Sequence, residues 1–441
     1  MSAPLFMIET PTDLPGHADV VVIGAGIVGV SAAYWLARAG QHVVLLEKGR
    51  VGAEQSSRNW GWCRQQNRDA RELPLATRSL ALWQDLAADI GQDPGFRRCG
   101  LLYLSDDPAE LDVWDRWGVF ARGEGVDTRM LSRADTAAHG QATGRTWRGG
   151  VWSPTDGTAD PARAAVVIAQ GVQRHGGTVV QNCAARGLEL SAGAVSGVIT
   201  ERGTIRTRQV VMAGGVWAGS FLRQLGVHFP QASVRSSIMS VAPGAQGLPD
   251  ALHTARVSVT RRGDGGYTLA VSGNGRVDPT PGMLGGLRHF LPMFSRRWRS
   301  LAPGGLQAWR AGFETRKHWA LDRPTPMEAM RILDPSPDRR TLARTLDRAR
   351  DMLPALRDVP VQAGWAGYID STPDGVPVID PDTGVPGLLL AAGFSGHGFG
   401  IGPGAGHLVA DLLLGRAPIT EVSQYRLSRF DRSVWGKVAE F

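Results

Sequence analysis

Three stretches of the chain combine residue types that do chemistry only in company. The first is Gly24-Ala25-Gly26-Ile27-Val28-Gly29, directly after the apolar run Val20-Val21-Val22-Ile23. Glu47 lies 23 positions after Gly24, at the end of a second apolar run from His42. In this pattern the first glycine permits a tight turn and the second lets backbone N–H groups approach a pyrophosphate. The third lets the following helix lie close to the strand. The helix N-terminus then offers free donors to negative charge. A carboxylate at Glu47 accepts hydrogen bonds from ribose hydroxyls and would repel a 2′-phosphate. The hexad therefore predicts dinucleotide binding; a strand–turn–helix without a ligand is its bland alternative. The second stretch is the small polar loop Val51 to Asn59. The third is Gly393-Phe394-Ser395-Gly396-His397-Gly398-Phe399-Gly400-Ile401-Gly402, a second glycine loop placed before a second helix. A nicotinamide domain has no need of that second device. A flavin dinucleotide has: one helix mouth serves the pyrophosphate, the other stabilises negative charge on the reduced ring.

The elements that must position these stretches are short buried parallel strands alternating with helices. Val30 to Ala39 reads as a helix stopped by Gly40, and His42 to Glu47 as the next strand. Ile205 to Ala213 and Gly387 to Ala392 read as further strands, the former running into Gly214-Gly215-Val216-Trp217. With 441 residues, 43% hydrophobic and 20% charged, the chain has material for two or three globular domains, which excludes a disordered, collagen-like or small disulfide-rich protein. The net charge of +7 is carried by scattered arginines with no nucleic-acid motif beside them, so no nucleic-acid partner is expected. Cys63, Cys99 and Cys183 have neither metal spacing nor a disulfide framework. No metal is expected, and a reducing, cytoplasmic home is. No apolar run has the roughly 18 residues of a membrane helix, and the segment before Asp19 does not read as a signal peptide.

Taken together, these stretches resemble the D-amino-acid oxidase superfamily of flavoproteins, nearest its glycine oxidase, sarcosine oxidase and D-amino-acid dehydrogenase branch. Further markers are Phe96 to Leu104, Asp156-Gly157-Thr158-Ala159-Asp160-Pro161, Gly364 to Gly375, and Ala392 to Phe399. The resemblance implies a Rossmann-like α/β FAD-binding domain joined to a discontinuous antiparallel-sheet substrate domain. It implies oxidation of the C–N bond of an amine or amino acid (secondary, N-methyl, cyclic or D) by hydride transfer to flavin. Oxygen is the expected acceptor, giving hydrogen peroxide. A dehydrogenase passing electrons to quinone or a carrier, or a non-catalytic flavoprotein subunit, are the alternatives. The partner is a small amine, and the protein a monomer or homo-oligomer.

Residue by residue, the resemblance assigns FAD contacts to Gly24, Gly26, Ile27, Val28, Gly29, Glu47, Lys48, Ser56, Ser57, Arg58, Asn59, Ala185, Ala213, Gly214, Trp217, Gly396, His397, Gly398, Gly400 and Ile401. The sarcosine oxidase pattern has a flavin-linking cysteine within the stretch matching Gly364 to Asp374. This chain has none there, so non-covalent FAD is expected. The same pattern has a carboxylate-gripping lysine where this chain has Gly400. Arg64 is the candidate replacement, its planar fork suiting a carboxylate. Of the three lysines, Lys317 is the candidate for the oxygen side of the flavin, with Arg310 or Arg316 as substitutes; Lys437 is in the tail. Tyr368 is the third candidate catalytic residue, and Trp60, Trp62 and Tyr267 are the candidate substrate wall. Asp370 and Asp374 read as loop-shaping residues.

The expected FAD domain comprises residues 17–90, 150–225 and 361–441, and the substrate domain 91–149 and 226–360. Residues 274–306, rich in Gly, Pro and Arg, read as an inserted loop or lid.

Overall fold

The computed structural model describes residues 3–140, 143–271, 273–315, 317–432 and 435. A six-stranded sheet runs in the order Val378–Asp380, Leu388–Ala392, Gln209–Met212, Val20–Ile23, Val43–Leu46, Thr178–Val180. All its neighbours are parallel except the first pair. The valine-rich run is fully buried because both faces are covered. Val20 and Val22 point into a core shared with the helices Ile27–Arg38, Leu73–Ile90, Ala164–Arg174 and Gly398–Leu413. Val21 and Ile23 point the other way, toward the three-stranded sheet Ala185–Ser191, Ala194–Thr200, Gly203–Arg206. This is the period-2 alternation of a strand with two dry faces.

The two glycine-opened helices pack directly on each other. A Cβ built on Gly406 would lie 2.4 Å from the Ser31 carbonyl carbon, and one on Gly402 2.8 Å from Ile27 Cγ1. Trp35 Nε1 donates to the Pro403 carbonyl at 3.1 Å across the same seam. The second helix begins at Gly398 rather than near Gly404, so its glycines sit inside it and bring its amino end beside the first hexad.

A ten-stranded, largely antiparallel sheet forms the second layer. Its longest strand, Val361–Ser371, pairs along the whole of Ala232–Val241. Val361–Ser371 and Gly149–Ser153, both assigned from sequence to the FAD domain almost entirely, pair within the second sheet. The Gly- and Pro-rich segment is also corrected: it contains the 17-residue helix Pro281–Arg297, started by Thr280, whose hydroxyl accepts from Met283 N.

Candidate active site

Between the carboxyl ends of the parallel strands and the face of the second sheet lies a cavity of about 540 Å³. That is within the range of small-molecule and cofactor sites. Its first wall is the hexad. Gly24 has φ +101°, and a Cβ there would sit 2.6 Å from the Ala213 carbonyl oxygen. A Cβ on Gly29 would sit 1.8 Å from the Gly24 carbonyl oxygen, so only glycine closes this turn. Gly24 N donates to Leu46 O at 2.8 Å and Ala213 N to Ile23 O at 2.9 Å, which gathers three strand ends around the turn. Glu47 is fixed by Ala25 N at 2.9 Å and Gly49 N at 2.8 Å. Burial raises its pKa, opposed by Lys48 and those two donors.

The loop after the second strand closes over this wall. Ser56 Oγ accepts from Ile27 N at 2.8 Å. Lys48 donates to Glu54 at 2.6 Å and to the Met330 and Arg331 carbonyls at 2.9 Å, and lies 4.4 Å from the Trp217 ring centre. Its three donors are thereby used. Arg58 is a buried staple: it donates to Ala53 O, to Asp334 and, at 2.8 Å, to Ala366 O on the long strand. Of the residues assigned to FAD from sequence, Gly24, Gly26, Ile27, Val28, Glu47, Lys48, Ser56, Arg58, Asn59, Ala185, Ala213, Gly214, Trp217, Gly396, His397, Gly398 and Gly400 line the cavity. Gly29, Ser57 and Ile401 do not: Gly29 is packed behind the turn, Ser57 Oγ donates to Glu54 O, and Ile401 is in the core between helices.

The far end of the cavity is built by Trp60, Trp62, Arg64, Arg68, Tyr103, His253 and His397; Tyr368 also lines the cavity but packs on Phe313, beside Trp217. Trp60 and Trp62 meet edge to face at 5.0 Å, and Trp62 Nε1 donates to Thr260 at 2.7 Å. Tyr103 and His253 lie 4.9 Å apart. Arg64 donates to Gln66 O. The Arg64–Arg68 loop is tied down by Asp156, whose carboxylate accepts from Gln65 N at 2.7 Å and Gln66 N at 3.1 Å. Burial pushes the Asp156 pKa up to about 6. Arg68 was not read from sequence. It is 3% exposed, its Nε donates to Arg64 O, and its Nη1 has no partner among the described residues. Burial first, and Arg64 second, push its pKa down to about 10.

His397 is equally non-local in origin. Its Nδ1 lies 2.9 Å from Glu72, a fully buried carboxylate at the start of the helix Leu73–Ile90. Burial lowers the His397 pKa to about 4 despite Glu72, and does the same to His253. Both rings are neutral at neutral pH, and a neutral His397 can only donate from Nδ1 to that carboxylate. Tyr368 donates to Asp278 at 2.5 Å, and burial and that bond raise its pKa far above the ordinary phenol. Asp370 accepts from Gly393 N at 2.7 Å, and Asp374 pairs with Arg71 and Arg429, so both shape the loop.

Three expected residues lie elsewhere. Lys317 is exposed in an irregular segment and does not line the cavity; its carbonyl accepts from Gln224. Tyr267 is buried in the second-sheet core with its hydroxyl on Leu248 O at 3.0 Å. Arg310 is exposed and outside the lining, and Arg316 and Lys437 lie outside the described residues. Gly400 explains its own departure from the sarcosine oxidase pattern: a Cβ there would lie 2.7 Å from the Trp62 carbonyl oxygen, so no lysine fits.

Residues 19–412 match the family model described as FAD dependent oxidoreductase, DAO. The chain belongs to this family. It is 28% identical over 428 residues to the glycine oxidase of Pseudomonas aeruginosa, covering 92% of this chain and 97% of that protein. It is 25% identical over 433 residues to the mitochondrial sarcosine dehydrogenase of Homo sapiens, of which it spans only 42%. The solved L-amino acid deaminase from Proteus vulgaris superposes with a TM-score of 0.90 at 28% identity, covering 96% of this chain and 100% of that one. The chain is thus a flavoenzyme of the amino-acid and amine oxidase or dehydrogenase family, with the parallel FAD sheet and antiparallel second sheet of that fold. The cavity fits the cofactor in its own right. Gly24 and Gly26 add no side chain at the helix mouth, where Ser56 Oγ accepts from Ile27 N, and Glu47 stands at the next strand end as an acceptor.

Proposed function

We propose that the chain oxidises the C–N bond of an amino acid to an imine, with FAD held non-covalently. Gly24, Gly26, Ser56, Ala213 and Gly214 would hold the dinucleotide's anionic middle, Glu47 its ribose, and Gly396 to Gly400 its ring. FAD, when bound, supplies the two-electron acceptor for the hydride leaving the substrate carbon. The protein's own groups do the rest. Arg64 and Arg68 take the substrate carboxylate, which fixes the orientation of the reacting carbon. Trp60, Trp62 and Tyr103 exclude water and receive an apolar side chain or N-substituent. The amine enters neutral, its proton left in solvent, and the imine hydrolyses after release.

The observation that carries this reading is Arg68, a buried guanidinium lining the cavity with an unpartnered Nη1. Such a group is costly until an anion meets it. Non-covalent attachment is supported by the cysteines: Cys63 and Cys99 do not line the cavity, and Cys183 N donates to Glu47 O at the ribose end.

Lys317 was the first candidate for the oxygen side of the flavin. Its placement outside the cavity favours a second reading, in which electrons pass to quinone or a carrier. An anaerobic panel of N-methyl, D-, L- and cyclic amino acids tests the first part: at least one bleaches the flavin, whereas bleaching by none supports a non-catalytic subunit. Admitting air then separates the acceptors. Rapid recolouring with hydrogen peroxide supports oxygen. Recolouring only with a soluble quinone analogue supports the dehydrogenase.

A further inference from the structure

We propose that Glu72 is a positioning residue: it holds the His397 ring so that Nε2 accepts the N–H of the substrate amine, and the site thereby takes primary and secondary amino acids and rejects tertiary ones. The inference rests on the oxidation reading above and adds to it the group that orients the nitrogen.

The geometry starts at Glu72. Its side chain is fully buried at the amino end of the 18-residue helix Leu73–Ile90. The helix dipole and Arg68, one turn earlier in sequence, compensate its charge. Both carboxylate oxygens lie on one ring nitrogen, His397 Nδ1, at 2.9 and 3.1 Å. A carboxylate only accepts, so in the neutral ring the proton sits on Nδ1 and Nε2 keeps its lone pair. Nε2 has no hydrogen-bond partner among the described residues, and His397 lines the cavity. His397 N donates to Phe394 O at 2.7 Å, so the backbone is held as well as the ring.

Position decides what that lone pair meets. Arg68 and Arg64, which take the carboxylate, stand close enough for their charges to act on the His397 ring. In an α-amino acid the nitrogen is bonded to the carbon that carries the carboxylate. A substrate gripped by the two arginines therefore brings its nitrogen to His397. The acids that line the cavity do not compete for it: Glu47 and Glu54 are at the ribose end, and Asp370 is bound by Gly393 N. An N–H aimed at Nε2 fixes rotation about the C–N bond and aligns the nitrogen lone pair with the C–H bond that breaks. The hydride then leaves carbon for the flavin, the lone pair becomes the second bond of C=N, and the N–H stays on the protonated imine. His397 holds that proton without taking it. A neutral tertiary amine has no N–H. It sets an alkyl group against Nε2 and leaves a buried acceptor unpaired, the kind of penalty that discriminates strongly.

Anaerobic reduction of the FAD-loaded full chain tests this. The probes are phenylalanine, N-methylphenylalanine and N,N-dimethylphenylalanine in both configurations, beside glycine, sarcosine and N,N-dimethylglycine. The better of the primary and secondary amines should reduce the flavin at least about 100-fold faster than its tertiary counterpart. Glu72→Gln should slow the limiting reduction by about 10- to 100-fold and shrink the difference between the amines. Benzoate, which has no amine, should bind that variant as tightly as before or tighter, because a negative charge near Arg68 is gone. A merely structural loss would instead weaken benzoate and lower flavin content, and that outcome overturns the inference, as does an unchanged limiting rate. Nitrogen-15 spectra of the histidine-labelled, FAD-loaded unaltered chain give a second reading that needs no Glu72 variant, with His397→Gln identifying the resonances. A proton on Nδ1 alone is expected; a proton on Nε2 overturns the inference. Equal reduction by all three amines of a series overturns it and leaves the oxidation reading standing, whereas reduction by none overturns both.

Discussion

Arg68 and His397 show how little of a site's chemistry resides in any one residue type. Arginine is ordinarily a solvated cation; here burial and Arg64 make its charge expensive. Arg68→Met should therefore weaken a carboxylate ligand by about 10- to 100-fold, the loss of a charged hydrogen bond of roughly 1.5–3 kcal/mol. Melting of the ligand-free protein should fall, because Arg68 also offsets the buried Glu72 and Asp156 charges, so ligand affinity is compared at a temperature where both proteins are folded. Titration of flavin absorbance with a carboxylate, beside a melting curve, reads both. His397 carries a prediction about pH. Its folded pKa of about 4 lies below the ordinary 6.5, so the unfolded chain takes up the proton first. Its share of stability is complete above pH 6.5 and is lost as pH falls toward 4. Asp156 and Asp370, raised to about 6, act with the opposite sign, favouring the folded state at acid pH and losing that as pH rises from 3.8 to 6. His397→Gln should thus gain on the unaltered chain as pH falls from 6.5 to 4, by on the order of 3 kcal/mol. Denaturant melts at several pH values measure it. A constant difference would mean that His397 titrates normally. Arg68 and the pairing of His397 with Glu72 were not legible in sequence: Glu72 is 325 positions from His397, and the pairing exists only once two helices meet.

At the scale of elements, what was legible was what is local. Gly24, Gly26, Glu47, Gly396, His397, Gly398 and Gly400, expected from sequence to contact FAD, line the cavity because strand, turn and helix are neighbours in sequence. Two elements were not legible for physical reasons. Val361–Ser371 lies next in sequence to the parallel strands but pairs with Ala232–Val241, and partner choice is a long-range matter. Pro281–Arg297 has Gly282, Gly285, Gly286 and Pro292, which lower helix propensity. The signals that reveal it were present: Thr280 as N-cap, Pro281 at the first position, and the leucine spacing. The packing of the helix Gly398–Leu413 on the Trp62–Cys63 strand gives the prediction at this scale. Gly400→Ala puts a Cβ 2.7 Å from a backbone oxygen that cannot swing aside. It should destabilise the protein by about 1–3 kcal/mol and lower flavin occupancy, read from melting and the ratio of visible to ultraviolet absorbance. Unaltered values would show that the helix sits less tightly on Trp62 than this distance indicates.

For the whole molecule, two sheets enclose one cavity and two glycine-opened helices share one seam at its edge. The parallel sheet supplies rigid strand ends, and the second sheet supplies Tyr103 and Tyr368, which lie in stretches the sequence singled out, and His253, which no sequence motif announced. The account stands or falls on a single long redox molecule spanning both helix mouths. Its identity is the most direct measurement: denature the purified yellow protein, separate the polypeptide and determine the mass of each fraction. The expected result is FAD released in about one equivalent, with a polypeptide of unmodified mass. A colourless protein, or one that retains a nicotinamide dinucleotide and no flavin, would contradict it.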